Sequence, residues 1–311
     1  MNFYYLLVPL SQAILGLASF TEKLFAKRSK GYLPNNLLYS AGIAICSLFI
    51  YSVLANFDLT PDGELLTYAA VYGVLYAASM TCIFTAYRRL NMIVYSVFGK
   101  SSSILVCVIG LLFLGDEPKF TVIFSVVLLF IAILLPLLEA GKKEGRGSVF
   151  GNILICIATM LIGTGVSLLL KSFTMLESYT AERASAMYFY ANIFTFIYLL
   201  CAVLITSRKP REDGKPSIIP RRGIGLKATA LMVDPKLYIL VPIVATVANI
   251  PTVLCTVAMK NMPISVYTVL TNFFALLVLF VISRVIFKEK TSKIDITALI
   301  ITGIAGLISC F

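Results

Sequence analysis

Residues 92–117 read MIVYSVFGKSSSILVCVIGLLFLGDE, and residues 264–289 read ISVYTVLTNFFALLVLFVISRVIFKE. Each contains an apolar run long enough to cross a hydrocarbon core about 30 Å thick, which takes about 20 helical residues. At an offset of 172, Tyr95-Ser96-Val97 meets Tyr267-Thr268-Val269, Lys100 meets Asn272, and Glu117 meets Glu289 just past each run. A second match, at an offset of 147, pairs Gly16 with Gly163. Most of the difference between the offsets comes from the excess length of the stretch 207–236 over the stretch 55–63. The chain therefore reads as two related halves, 1–140 and 141–311.

Working outward, ten apolar segments appear, at 3–20, 37–54, 65–86, 92–114, 120–138, 149–170, 185–206, 237–257, 262–286 and 294–311. Over the 311 residues 59% are hydrophobic and 13% charged, and the mean hydropathy is +0.94. No soluble core hides that much apolar surface. Ten spanning helices use about 200 residues and leave only short loops. The expected class is an all-α integral membrane protein with ten transmembrane helices, which excludes a soluble enzyme, a DNA-binding protein and a secreted disulfide scaffold. The seven cysteines lie singly in apolar stretches, so neither a zinc site nor a disulfide framework is expected. No cofactor or metal is expected either. The first segment lacks a basic start and is followed by Glu22-Lys23, which argues against a cleaved signal peptide.

The net charge of +11 is a matter of topology. Of 26 Lys and Arg, 20 fall in odd-numbered loops and 4 in even ones, with Lys100 and Arg284 inside segments. Basic loops stay in the cytoplasm, so odd loops are expected inside and both termini outside. Nucleic acid is not needed as a partner. The most basic loop, 207–236, is expected to sit beside anionic lipid. With five helices per half, the second half is upside down relative to the first. Two inverted five-helix repeats are transporter architecture.

The ten segments, the 5+5 halves, Leu114-Gly115-Asp116-Glu117 after segment four and Thr302-Gly303-Ile304-Ala305-Gly306 in segment ten resemble the drug/metabolite transporter superfamily, in particular its EamA-type exporters. The resemblance spans nearly the whole chain. It implies transport across the plasma membrane through a cavity lined by helices one, three, four and their repeat mates. Relatives often keep both termini in the cytoplasm; the charge count predicts the reverse here.

Lys100 lies eight residues into segment four, about 12 Å along a helix. That is near mid-membrane, where a lysine costs about 2.5–3.5 kcal/mol and needs a cavity or partner. Ser96, Lys100, Ser103 and Cys107 share one helical face. All fifteen acidic residues read as lying in loops or at helix ends, so the expected partner of Lys100 is a substrate anion. The competing reading is a lysine snorkelling to the interface or bonded to carbonyls. Asn272, Asn249 and Gln12 are candidate hydrogen-bond donors to substrate, and Tyr72 with Tyr76 a stacking wall. Thr164, Ser167, Lys171 and Thr246 form further polar stripes, for which helix packing is the alternative.

The expected function is secondary transport of a small polar metabolite bearing a carboxylate or other anionic group, by alternating access. A flippase for a lipid-linked sugar or amine and a multidrug-type exporter are the alternatives within this fold. An enzyme is not expected, because the chain has no His and no paired intramembrane carboxylates. Expected partners are a small-molecule substrate, the bilayer and, optionally, a second copy of the chain.

Overall fold

The computed structural model describes residues 4–28, 33–87, 102–113, 120–143, 146–206, 238–286, 288 and 292–308. Every regular element among them is helical. In order these are α1 (Tyr4–Arg28), α2 (Leu33–Leu54), α3 (Gly63–Tyr87), α4 (Ser102–Phe113), α5 (Phe120–Lys143), α6 (Arg146–Thr174), α7 (Ala181–Thr206), α8 (Leu240–Lys260), α9 (Ile264–Val281) and α10 (Lys293–Ile308). A π-helical stretch, Ile282–Ile286, continues α9.

Among the described residues seven helices are long and apolar enough to cross a membrane, and Phe120–Ala132 and Ile296–Ala305 are shorter apolar helices. This is a multi-pass membrane protein. Large apolar side chains such as Phe49 (72% exposed) and Phe120 (80%) face outward, as hydrocarbon allows and water does not. Helix is the answer to lipid because each backbone N–H and C=O finds its partner within the segment. Where a helix starts in a wet loop, a side chain takes over that task. Asp62 Oδ1 accepts the Leu65 N–H at 2.7 Å to open α3, and Thr180 Oγ1 accepts the Arg183 N–H at 3.0 Å to open α7.

The sequence reading ends segment one at residue 20, but α1 runs on to Arg28 and its spanning window to Phe25. Charged residues do not stop a helix; they only lower the hydropathy that marks it. This corrects one premise. Glu22 lies in the last turn of the candidate span, Tyr4–Phe25, rather than beyond segment one.

The chain divides into two compact units. The first holds Met1–Phe20, Arg89–Tyr179 and Ile250–Phe311, so α4, α5, α6, α9, α10, the first part of α1 and the last part of α8. Within it α5 packs along α10, α9 packs on α10 and α4, and α4 packs on α6. Leu7 and Val8 of α1 share a core with Cys255, Ala258 and Met259 of α8 and with Val266, Tyr267 and Leu270 of α9. Further along, Gly16 of α1 abuts the Val278 side chain. Low numbers meet low and high meet high, so α1 and α9 run parallel, with Gln12 level with the stretch around Asn272.

The second unit holds Thr21–Arg88 and Thr180–Asn249, so α2, α3, α7 and the remaining parts of α1 and α8. There α7 packs along both α2 and α3. Phe25, Leu37, Tyr39, Met80, Phe84, Leu199, Val203 and Val241 form its core. A Cβ on Gly42 would stand 3.1 Å from Val241, and Asn249 donates to Ser47. Hence α2 and α8 also run parallel.

Candidate functional site

Lys100 and Ser96 lie outside the described residues. Ser103 falls in α4, with its side chain outside the described set. The other candidates divide between the units. Gln12 and Asn272 belong to the first, Asn249, Tyr72 and Tyr76 to the second.

In the first unit, Gln12 is 6% exposed and Asn272 3%. The Gln12 Nε2 donates to the Cys255 thiol sulfur at 3.6 Å. Sulfur is a weak acceptor, so this leaves an amide able to exchange its partner for a better one. Lys171, read from sequence as a stripe residue, has another occupation. Its ammonium is buried and donates to the carbonyls of Met259 at 3.1 Å and Met262 at 3.3 Å. The Met259 carbonyl lies in the last turn of α8, whose C-terminal end carries the negative pole of the helix dipole, and the Met262 carbonyl lies just past it. The return contact comes from Lys260, which donates to the Tyr179 carbonyl at 3.3 Å and sits 4.4 Å from the centre of the Tyr179 ring. Burial pushes the Tyr179 phenol up to about 12. Two lysines thus hold the exit of α6 to the exit of α8.

In the second unit, Asn249 Nδ2 donates to Ser47 Oγ at 2.8 Å, and Ser47 Oγ donates to the Ile43 carbonyl at 2.8 Å. One Asn249 donor is therefore engaged in joining α8 to α2. Tyr72 and Tyr76 stack, centroids 5.8 Å apart at 10°, and Tyr188 meets Tyr72 edge-on at 5.4 Å. Tyr188 in turn stacks on Tyr51 at 5.3 Å. The tyrosines pack on one another across α2, α3 and α7. The hydroxyl stripes are similarly occupied. Thr164, Thr246 and Thr256 each donate to the carbonyl one turn back, which is how Ser and Thr satisfy themselves in apolar helices.

Two groups of this unit escape the sequence reading. Glu22 is half-buried in α1 and makes no ion pair among the described residues. Its charge acts on the hydroxyls of Tyr39 and Tyr76, and its neighbour Thr21 accepts the Tyr39 hydroxyl at 3.3 Å. The second is Asn35 in the first turn of α2, 0% exposed, whose Oδ1 and Nδ2 both lack a hydrogen-bond partner among the described residues. Each such orphan costs about 1–3 kcal/mol. Hydropathy gives no signal for either, since both depend on what neighbouring helices bring.

At the mouth of this unit, Arg183 bridges Asp62 at 2.7 Å and Glu64 at 3.3 Å. The Leu65 N–H and the Arg183 guanidinium hold the Asp62 carboxyl below its ordinary value. A depressed carboxyl contributes stability that is present above its unfolded pKa, near 4, and lost as the pH falls through the folded value. The melting temperature of the detergent-solubilised protein is therefore expected to drop on acidification below about pH 4, and to drop less in Asp62→Asn. Equal acid sensitivity in both proteins contradicts this.

No protein-family model and no curated protein matches the chain. Among solved structures it is similar to one described only as "Crystal structure of protein", with a TM-score of 0.65 at 13% identity over 100% of this chain and 99% of that one. That likeness shows the fold and nothing of what is bound.

Proposed function

We propose that the chain is a secondary transporter of the plasma membrane, with ten crossings in two inverted five-helix repeats and alternating access to a small polar metabolite. The observation that carries the reading is how helices pack on the partners the repeat assigns them. Within their units α2 packs on α7, α4 on α9 and α5 on α10. Two further contacts come in matching pairs. Gly73 of α3 approaches Ala191 and Phe194 of α7. The offsets of 172 and 147 carry that point to Ala245 opposite Ala44 and Ser47, between the observed contacts Gly42–Val241 and Ser47–Asn249. Likewise Gly16 abuts Val278 of α9, and Gly163 abuts Ser102 of α4, one turn from the repeat equivalent of Val278. An internal pseudo-two-fold of this kind is what rocking-type transporters are built on, and the resemblance to EamA-type exporters points the same way.

The charge bias supports odd loops in the cytoplasm. The contacts fit that alternation: the starts of α3 and α7 share one end of their unit through Arg183, and the exits of α6 and α8 share one end of theirs through the two lysines.

For the substrate, the first reading keeps an anionic group held by Lys100, with Asn272 and Gln12 as donors. A second reading is favoured by a specific observation. Glu22, in the last turn of a candidate span beside Tyr39 and Tyr76, suits a protonated amine, because a carboxylate at the membrane without an ion-pair partner among the described residues calls for a cation. A thermal-shift screen separates the two. Wild type, Lys100→Ala and Glu22→Gln are melted with organic acids, phosphosugars, amino acids, nucleosides and cationic dyes. A ligand at 100 times its Kd stabilises the folded state by about 2.7 kcal/mol. Acids that stabilise wild type but not Lys100→Ala establish the first reading. Amines or dyes that stabilise wild type but not Glu22→Gln establish the second. No stabilisation by any class defeats both.

A further inference from the structure

We infer that the adjoining ends of α9 and α10 hold one anionic phospholipid, its phosphate between Arg284 and Lys293 and its acyl chains along the outward faces of the two helices. Each helix presents an exposed apolar line that ends in a cation. On α9 the line runs through Leu277 and Val281 to Arg284, at steps of four and three residues, and all three are exposed. On α10 it runs from Ile304 through Ile300 and Ile296 to Lys293, again at helical spacing and again exposed throughout.

The two cations come level. Within the first unit α9 and α10 pack on one another, and a Cβ on Gly303 would stand 2.6 Å from the Phe273 ring. The two helices are joined through residues 287–292 and run antiparallel. Arg284 lies eleven residues beyond Phe273, and Lys293 lies ten residues before Gly303. At about 1.5 Å per residue the two stand within about 2 Å of the same height. Axes of packed helices lie about 8–10 Å apart, so a guanidinium and an ammonium reach toward one headgroup from either side.

Position and charge select the occupant. Arg284 stands two residues before the end of the candidate span Ile264–Ile286 and makes no hydrogen bond or ion pair among the described residues. A cation at the edge of the hydrocarbon lays its stem on apolar surface and takes the nearest anion, which there is a lipid phosphate. The guanidinium fork matches phosphate oxygens two at a time. Residues 284–293 carry four basic side chains (Arg284, Lys288, Lys290 and Lys293) against the one acid Glu289, a surplus of three. That surplus favours a headgroup of net negative charge over a zwitterionic one, whose own cation would meet it. A soluble anion would leave the two apolar lines unused. Arg284 also falls in the π-helical stretch Ile282–Ile286, a rare form found mostly at functional sites.

This inference needs α9 to cross the membrane and does not rest on transport. The test uses the full-length protein in a non-ionic detergent. Phosphatidylglycerol is the probe, phosphatidylcholine the zwitterionic control and inorganic phosphate the soluble anion. Melting curves and native mass spectra read binding. Phosphatidylglycerol is expected to raise the wild-type melting temperature above the phosphatidylcholine value and to stay bound in the spectrum, while phosphate does neither. The double variant Arg284→Gln/Lys293→Gln, changed only at exposed positions, is expected to melt with wild type in the absence of lipid. It should hold phosphatidylglycerol about thirtyfold more weakly, the loss of two cations' attraction to an anionic surface. Arg221→Gln/Arg222→Gln removes the same charge from the stretch 207–236 and should keep the full response. The inference is overturned if the two lipids act alike, or if the two double variants lose phosphatidylglycerol equally, since the attraction would then be diffuse. It is overturned equally if inorganic phosphate matches the lipid, which would make this a site for a soluble anion. Lys293→Gln alone should weaken binding about fivefold, and undiminished binding in it overturns the inference even where the double variant cannot be purified.

Discussion

Gly73→Leu is expected to leave no monodisperse folded protein, whereas Gly63→Ala on the same helix is expected to melt within about 1 kcal/mol of wild type. At Gly73 even a Cβ would lie 2.7 Å from the Phe194 Cβ, 2.8 Å from the Ala191 carbonyl oxygen and 3.1 Å from the Thr195 nitrogen. None of these atoms is the loose end of a side chain, so the clash can be relieved only by parting α3 from α7. Parting them also breaks the bond from Thr195 Oγ1 to the Gly73 carbonyl, 3.3 Å. Gly73→Ala sets two effects against each other. Helix propensity favours alanine by about 1 kcal/mol, while overpacking costs about 1–3 kcal/mol. The alanine variant should therefore melt lower by a small margin and the leucine variant not fold. Gly63 has nothing within 4 Å of the same Cβ. Size-exclusion profiles and melting curves of the three variants check this; a folded Gly73→Leu contradicts the α3–α7 packing.

That contrast shows what could be read from the chain and what could not. The existence and order of the helices follow from hydropathy alone, because lipid demands an apolar run wherever a helix crosses. Their ends do not. Hydropathy stops α1 eight residues early and begins α7 at 185 where the helix begins at Ala181, since polar caps and charged turns extend a helix without marking it as apolar. Gly16 and Gly163 are legible as a matched pair, but the partners Val278 and Ser102 are not. The candidate site suffers most. Gln12, Asn249 and Asn272 stand out as polar letters in apolar words, and all three are buried. Yet nothing in the letters says that Asn249 bonds Ser47, that Lys171 serves two carbonyls, or that Asn35 serves none among the described residues. Those outcomes depend on residues some 90 to 240 positions away.

The second large effect is expected at Lys171. Lys171→Glu should abolish folding, and Lys171→Met should cost much less. In the wild type the ammonium supplies donors to two carbonyls at the end of α8. Methionine keeps the apolar stem and removes a buried cation, so the loss of hydrogen bonds, about 1–3 kcal/mol, is partly offset by relief of desolvation. Glutamate leaves the same carbonyls unpaired and adds a buried negative charge against them and against the dipole of α8. The sum is at least about 3 kcal/mol, a large part of the roughly 5–15 kcal/mol that holds a domain together. Melting temperature and recovery from gel filtration read the order. If glutamate is tolerated as well as methionine, Lys171 is not closing α8.

The pairing of α2 with α8 has a consequence for biogenesis. Ser47 finds Asn249 202 residues later in the chain. At about 5–20 residues per second a ribosome takes about 10–40 s to make that stretch. Until α7 and α8 have been made, α2 sits in the bilayer without the second-half helices it packs on, and Ser47 without the Asn249 amide. The first half cannot be finished when it is synthesised. A nascent chain cut after residue 140 should consequently be recognised as damaged and degraded, and quality control, in effect, waits for the second half to arrive.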